Sequence, residues 1–338
     1  MDTPHLTSKY IATSAQPPIE LDLHPGFKRV FQPDQLSVGL ILPLETHRGK
    51  PAPTMANHVE MAQHAEALGF AALWMRDVPF FDPEYGDVAQ VFEPMVYIGY
   101  LAAATRRIAL GTTGIVLPTH EPMYLAKQAT SLDQLSNGRM ILGLSSGDRQ
   151  SDYPMLNIDY DSRGERFRDA YSVLRTLSEK SFPSFHSKRF GGSDGKLNLI
   201  PKPPYGRTPA IAVGTAQQSM EWLAENMDGL VTGVVSPERL PQLVCEWSDQ
   251  VNRQGSRDEF KPIALGGYLE LSADPDESFQ RIRGGFRAGR NGLVAYLNDA
   301  RNAGITHVAL NPKVSRQPYT EVMAELAEFV LPHFPTRA

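Results

Sequence analysis

Three stretches of this chain share one pattern: an amphipathic helix, a glycine, then a short apolar run. It occurs in MAQHAEALGFAALWM, MEWLAENMDGLVTG and LNDARNAGITHVALN, with Gly69, Gly229 and Gly304 at the junctions. Glycine takes the left-handed conformation that stops a helix, and a short apolar run after it suits a strand buried on both faces. Alternation of this kind specifies βαβ units and a parallel sheet. Apolar runs fall near 36–42, 70–75, 108–117, 139–144, 210–213, 229–232, 263–269 and 307–310. Eight such strands close a parallel barrel, and 338 residues suit one barrel with insertions. No G-x-G-x-x-G follows the first strand, which disfavours a Rossmann sheet. The predicted fold is therefore α/β, a single TIM (β/α)8 barrel.

Two segments stand outside the alternation. Residues 1–35 contain QPPIELDLHPGFKRVFQP, proline-rich and aperiodic, and are read as an N-terminal extension, either an arm over the barrel or partly disordered. Residues 36–338 form the barrel, in which 181–209, with FGGSDGKLNLIPKPPYGRTP, is too long for an ordinary connection. It is read as an insertion loop with room for a hairpin, and as a lid. The formal charge of −5 offers no basic excess for nucleic acid. No apolar run approaches the ~20 residues of a membrane span, and the N-terminus lacks a signal-like h-region. With one cysteine, Cys245, no intrachain disulfide can form, so the expected compartment is the cytoplasm.

In a barrel the chemistry sits where the strands end. The segments there are PLETH, RDVPFFDP, PTHEP, SSGDRQSDY, GTAQQS, GVVSP, SADPD and NPKVS, several too polar for plain turns. LGTTGIVLPT sets two hydroxyls and two glycines into an otherwise apolar strand, which points to a bulge or a close ligand approach. In GTAQQS, Thr215 and Gln218 have capping-box spacing. The same helix start could equally present N–H groups and the hydroxyls of Thr215 and Ser219 to a phosphate. Ser145, Ser146 and Gly147 form either a turn or a ligand lining. Arg76 and Asp77 are either a rim ion pair or ligand-orienting groups. His58 and His64 lie six apart on different helix faces and no residues complete a metal set, so no metal is expected. No nucleophile–base signature is present. A polar pocket without nucleophile or metal implies an organic cofactor.

Beyond these separate features, LPLETHRGKPAPTMANHVEMAQHAEALGFAALWMRDV, LAAATRRIALGTTGIVLPTHEPMYLAKQATSLDQLSNGRMILGLSSGD and SRGERFRDAYSVLRTL resemble the flavin-dependent luciferase-like monooxygenases. RDVP, SGDR and GFRAGR are further similar to a branch without an assigned substrate. The resemblance implies a non-proline cis peptide within 112–115, in a bulge at the end of the third strand that supports the flavin ring. Thr112, Thr113 and Gly114 are cofactor-binding candidates on that ground. It also implies Thr215, Gln218 and Ser219 at the flavin phosphate, Ser145, Ser146, Gly147 and Asp148 along the flavin, and Leu44 near the ring; Asp77, as a ligand-orienting group, is a further cofactor-binding candidate. Luciferase has a histidine after its second strand where this chain has Val78 or a neighbour. Light emission is therefore not expected, and the catalytic residue is unassigned.

The implied activity is that of an FMN-dependent monooxygenase using reduced flavin and O2 on a small organic substrate, with electrons from a flavin reductase or NAD(P)H. Two alternatives stay open: hydride transfer with the deazaflavin F420, and a flavin-binding barrel without turnover. A homodimer through EPMVYIGYLAAAT, with Tyr97 and Tyr100, is also implied.

Overall fold

A computed structural model describes residues 21–254 and 260–336. Its centre is a ring of eight parallel strands: β1 (Ser37–Ile41), β2 (Ala72–Met75), β3 (Ala109–Thr112), β4 (Met140–Ser145), β5 (Ala210–Val213), β6 (Leu230–Gly233), β7 (Ile263–Leu271) and β8 (His307–Asn311). Each pairs with the next, and β8 pairs with β1, setting His307 opposite Ser37, so the ring is closed. The helices that follow the strands pack outside, as the helix–glycine–strand grammar specifies. Gly69 (φ 96°) and Gly304 (φ 108°) end their helices in the left-handed conformation. Gly229 does not. The helix before it stops at Asn226, and Gly229 is small because an added Cβ would lie 2.9 Å from Pro262 Cγ.

The apolar run 108–117 is not one strand. β3 stops at Thr112, and a two-residue continuation, Ile115–Val116, pairs with Leu144 and Ser145 of β4 after a bulge. At the break, the Thr112 hydroxyl donates to the Gly143 carbonyl (2.7 Å) and accepts from the Gly143 N–H (2.9 Å). A side chain thus replaces the ladder bonds that the bulge removes.

The N-terminal end of the barrel is stoppered. Within the N-terminal extension, residues 1–20 lie outside the described residues, but Pro25–Val30 form a helix whose Phe27 and Val30, with Phe31, pack against Ile41, Trp74, Ile141, Ile211 and Val231 inside the barrel. Gly26 donates its N–H to the Gly138 carbonyl at 2.8 Å, and Arg29 Nε donates to the Ala71 carbonyl, which fixes the helix beneath the strand starts. Above it runs a chain of polar groups. Trp74 Nε1–H donates to His307 Nε2 (2.9 Å), His307 Nδ1 pairs with Ser37 Oγ (2.7 Å), and Ser37 Oγ donates to the Val30 carbonyl (2.7 Å). Burial pushes His307 down to about 3, so it is a neutral link.

Residues 181–209 contain an antiparallel hairpin, Ser184–Ser187 with Gly191–Asp194. It is tied to the helix Arg163–Glu179 by Arg189, which pairs with Glu165 at 3.0 Å and Asp169 at 3.7 Å. A second hairpin, Gln280–Ile282 with Gly285–Ala288, extends the sheet beside β7. The apolar pattern does not forecast it, because its strands are short and carry charged residues.

Candidate active site

Residues two apart on a strand share a face, and β2 uses this to serve both ends of the barrel. Trp74 points into the floor, and Arg76, just past the strand end, reaches a cleft of about 270 Å³ at the C-terminal mouth. One wall of the cleft is Ile41, Val213 and Val231; another is nearly bare backbone from Gly214, Gly233, Gly266, Gly267 and Gly284. A Cβ added at Gly214 or Gly233 would meet nothing within 4 Å, so both glycines open onto free space. Thr113, Tyr268 and Asn311 supply polar edges.

Behind Arg76 lies a buried ionic cluster. Arg76 Nη1 pairs with Asp87 Oδ2 at 2.5 Å, Lys313 Nζ pairs with Asp87 Oδ1 at 2.6 Å, and the Tyr268 hydroxyl donates to Asp87 Oδ2 at 3.2 Å. Burial alone would raise the Asp87 carboxyl, but Arg76 and Lys313 outweigh it and hold it well below the ordinary carboxylate range. Burial lowers the Lys313 amine, Arg76 lowers it further, and Asp87 opposes both. Burial followed by the Lys313 charge also lowers His47. Arg76 Nε and Nη2 are buried without a partner. Leaving a buried donor unmade costs ~1–3 kcal/mol, and more when it is charged. Sequence reasoning named Arg76 but missed Asp87, Tyr268 and Lys313. NPKVS carried the signal for Lys313, but RDVPFFDP stops four residues short of Asp87 and Tyr268 lies within β7, so their convergence on Arg76 is purely spatial.

Arg76 and Asp77, just past the end of β2, do not pair with each other. Asp77 Oδ2 instead accepts from the Val116 N–H (2.9 Å) and pairs with His120 Nε2 (2.7 Å). Burial lowers His120, but the Asp77 carboxylate outweighs this and raises it.

Of the other residues singled out from sequence, only Thr113 lines the cleft. The one non-proline cis peptide among the described residues joins Thr113 and Gly114, within the span that the resemblance implied. Gly114 faces the barrel wall: a Cβ there would lie 2.8 Å from Val213 Cγ2 and 3.0 Å from the Gly143 carbonyl oxygen. Thr112 is committed to Gly143, and Leu44 is buried in the main apolar core. Ser145 Oγ lies 3.4 Å from the Gly114 and Ile115 carbonyls. The Ser146 carbonyl accepts from the Tyr153 hydroxyl, Gly147 is left-handed at φ 72°, and the Asp148 carbonyl accepts from the Tyr85 hydroxyl at 2.8 Å.

The capping box is not formed. Ala216 (φ 49°) and Gln217 (φ 60°) are left-handed, which keeps the chain out of a helix until Met220, and Ser219 caps it by accepting from the Trp222 N–H at 3.2 Å. Thr215 closes the preceding turn, its carbonyl accepting from the Gln218 N–H, and its side chain is exposed. The Gln218 side chain is engaged by Arg168 and by the Gly164 and Ala216 carbonyls.

Comparison with known proteins bears on the fold and the family. The chain is 31% identical over 260 residues to limonene 1,2-monooxygenase from Rhodococcus erythropolis, which covers 75% of this chain and 64% of that protein. It thus spans less than two thirds of that relative. An F420-dependent secondary alcohol dehydrogenase, solved with an F420–acetone adduct, superposes with a TM-score of 0.72 at 19% identity, covering 90% of this chain and all of that one. The oxygenating constituent of 3,6-diketocamphane monooxygenase from Pseudomonas putida, solved with FMN, superposes with a TM-score of 0.66 at 13% identity, covering 89% of this chain and all of that one. These two likenesses show the shared barrel, which in those proteins holds a deazaflavin and a flavin respectively. The profile of the luciferase-like monooxygenases matches residues 37–330, nearly the whole described barrel, and the chain belongs to that family of enzymes.

Proposed function

We propose that this protein is an FMN-dependent monooxygenase that acts with O2 on a small organic substrate in the cleft at the barrel mouth. The observation that carries the reading is the cleft itself, where open backbone at Gly214 and Gly233 lines the same space as Arg76, whose buried Nε and Nη2 have no hydrogen-bond partner. That combination fits a flat ring with a polar margin. FMN, when bound, supplies the electrons that activate O2. The chain's own residues provide the setting. Ile41, Val213 and Val231 keep water from one side, the peptide at Thr113 bounds the ring's edge, and the left-handed turn beginning at Gly214 leads to Thr215 and Ser219 as phosphate contacts. Gln218 shapes that turn through Gly164 and Ala216. Ser145 to Asp148 border the ribityl chain, with Leu44 and Asp77 supporting from behind. A flavin reductase supplies the reduced cofactor, in a cytoplasmic setting.

The test is O2 uptake by the purified protein with reduced FMN against a substrate panel, together with its visible spectrum. Substrate-coupled uptake supports the reading. A preference for F420 with no O2 uptake replaces it with deazaflavin hydride transfer, and binding of neither cofactor replaces it with a barrel without turnover.

We also propose a homodimer through the helix Pro94–Ala104. Tyr97 is buried within the subunit, where its hydroxyl meets His58 Nδ1 at 3.0 Å. Val96 and Tyr100 are 71% and 55% exposed, and Tyr124 on the adjacent helix is 67% exposed, an apolar face of the kind that associates. Light scattering at micromolar concentration should give twice the 37.4 kDa subunit mass; a monomer removes the idea.

A further inference from the structure

Arg76 is held by the Asp87 carboxylate and by the Tyr268 hydroxyl. Its Nη1 is committed to Asp87, whereas Nε and Nη2, the two nitrogens of the opposite edge, are buried at the cleft and unpaired. That edge presents two parallel N–H donors, the geometry that matches a planar pair of acceptors. Tyr268, which also hydrogen-bonds the Arg76 side chain, leaves that edge unfilled, and the neighbouring carboxylates are engaged elsewhere. The Asp87 carboxylate is shared among Arg76, Lys313 and Tyr268, and the Glu45 carboxylate accepts from the Thr54 and Met55 amides. The charge is also unbalanced. Two cations, Arg76 and Lys313, face one carboxylate, and Arg149 adds a third positive group by donating to the Asp87 carbonyl at 2.8 Å. A cleft lined otherwise by neutral glycines and aliphatic side chains therefore has a positive wall waiting for a negative occupant.

We propose that Arg76 anchors a planar anionic group of the bound molecule through its Nε–Nη2 edge. Two sources share that chemistry: a carboxylate on the substrate, and the pyrimidine edge of the flavin, which carries negative charge when the ring is reduced. The second source rests on the FMN reading above; the first does not depend on it. Lys313 and Asp87 act behind Arg76 as positioning residues, fixing the guanidinium so that its free edge faces the cleft.

Arg76→Lys tests this, since it keeps a cation beside Asp87 but cannot present the fork. In the first arm, the midpoint potential of bound FMN is measured. If the ring is the partner, the variant should favour the reduced form tenfold less, a fall of about 30 mV for a two-electron couple. In the second arm, benzoate and its uncharged isostere benzamide are titrated into FMN-loaded and cofactor-free protein and followed by thermal shift. If a substrate carboxylate is the partner, wild type should bind benzoate at least tenfold more tightly than benzamide, and Arg76→Lys should lose that preference. A change in either arm supports the proposal and names the source. An Arg76→Lys protein with the wild-type melting temperature, unaltered potential and unaltered benzoate preference overturns it. Failure to bind FMN defeats the proposed function alone, and the cofactor-free benzoate comparison then decides the role of Arg76. If the variant does not fold, equal binding of benzoate and benzamide by wild type, with no dependence of FMN affinity on reduction, overturns the proposal.

Discussion

The two ends of the barrel are built from the same strands by opposite rules. At the floor every polar group has a partner: Trp74, His307, Ser37 and Val30 form an unbroken neutral chain beneath a helical stopper. At the mouth, two residues further along the chain and just past β2, Arg76 carries charge and leaves two nitrogens unmade, while glycines leave space that side chains could fill. The floor is finished by the chain alone, whereas the mouth leaves donors and space open. Stability should therefore depend on the floor and affinity on the mouth, and each mutation below can break that division.

The largest effect should come from Trp74→Ala. The indole occupies the space that a Cβ on Gly111 would need, approaching it to 2.3 Å, and its removal leaves both a cavity and His307 Nε2 without its donor. Urea denaturation should show a loss of about 3–5 kcal/mol, with flavin affinity of the folded protein unchanged. A fall in affinity without loss of stability would break the division at the floor.

His307 comes next. Its pKa is lowered from 6.5 to about 3 in the folded protein, so the unfolded chain takes up a proton that the native state refuses. Stability is complete above about pH 6.5 and is lost as pH falls toward about 3, at up to about 1.4 kcal/mol per pH unit. The stability advantage of wild type over His307→Gln should accordingly shrink on acidification from about pH 7.5 to about pH 5.5. An advantage that grows would contradict the neutral link.

At the mouth, Gly233→Val places bulk where the glycine leaves open space. Stability should stay within about 0.5 kcal/mol, while the FMN dissociation constant should rise about tenfold, ~1.4 kcal/mol. Equal losses in both would mean that the glycine wall serves packing after all.

The smallest effect belongs to His120. Its raised pKa means that pairing with Asp77 stabilises the protein below about pH 6.5, and that this contribution fades as pH rises through the folded value. The advantage of wild type over His120→Gln should shrink toward alkaline pH, opposite in direction to His307. Matched pH profiles for the two variants would remove the distinction between a histidine buried as a neutral link and one paired with a carboxylate.

The barrel was legible because its rules are local. Apolar runs mark the strands, and Gly69 and Gly304 mark helix ends in the sequence itself. The site was legible in location but poorly in membership. Strand-end segments could be named, but Arg76, Asp87, Tyr268 and Lys313 come together only through barrel closure, and no spacing along the chain encodes that. Thr215 and Gln218 show the converse error: their spacing matched a local rule, but two left-handed residues between them set the backbone on another course. Pro25–Val30 eluded the reading for a third reason, since one short helix carries too little periodicity to reveal that its partners are the inside faces of strands.

That helix carries a consequence for how the molecule assembles during synthesis. It precedes every barrel strand, yet its seat draws on residues from Ile41 through Ala309, and Ser37, which bonds its Val30 carbonyl, is held in turn by His307 of β8. An early-translated segment thus has no place to settle until the last strand is made. Loop closure over so long a separation is slow. While the ribosome is still translating, Phe27, Val30 and Phe31 form an exposed apolar cluster awaiting its socket, so the segment most in need of chaperone cover is also the one that finally seals the barrel.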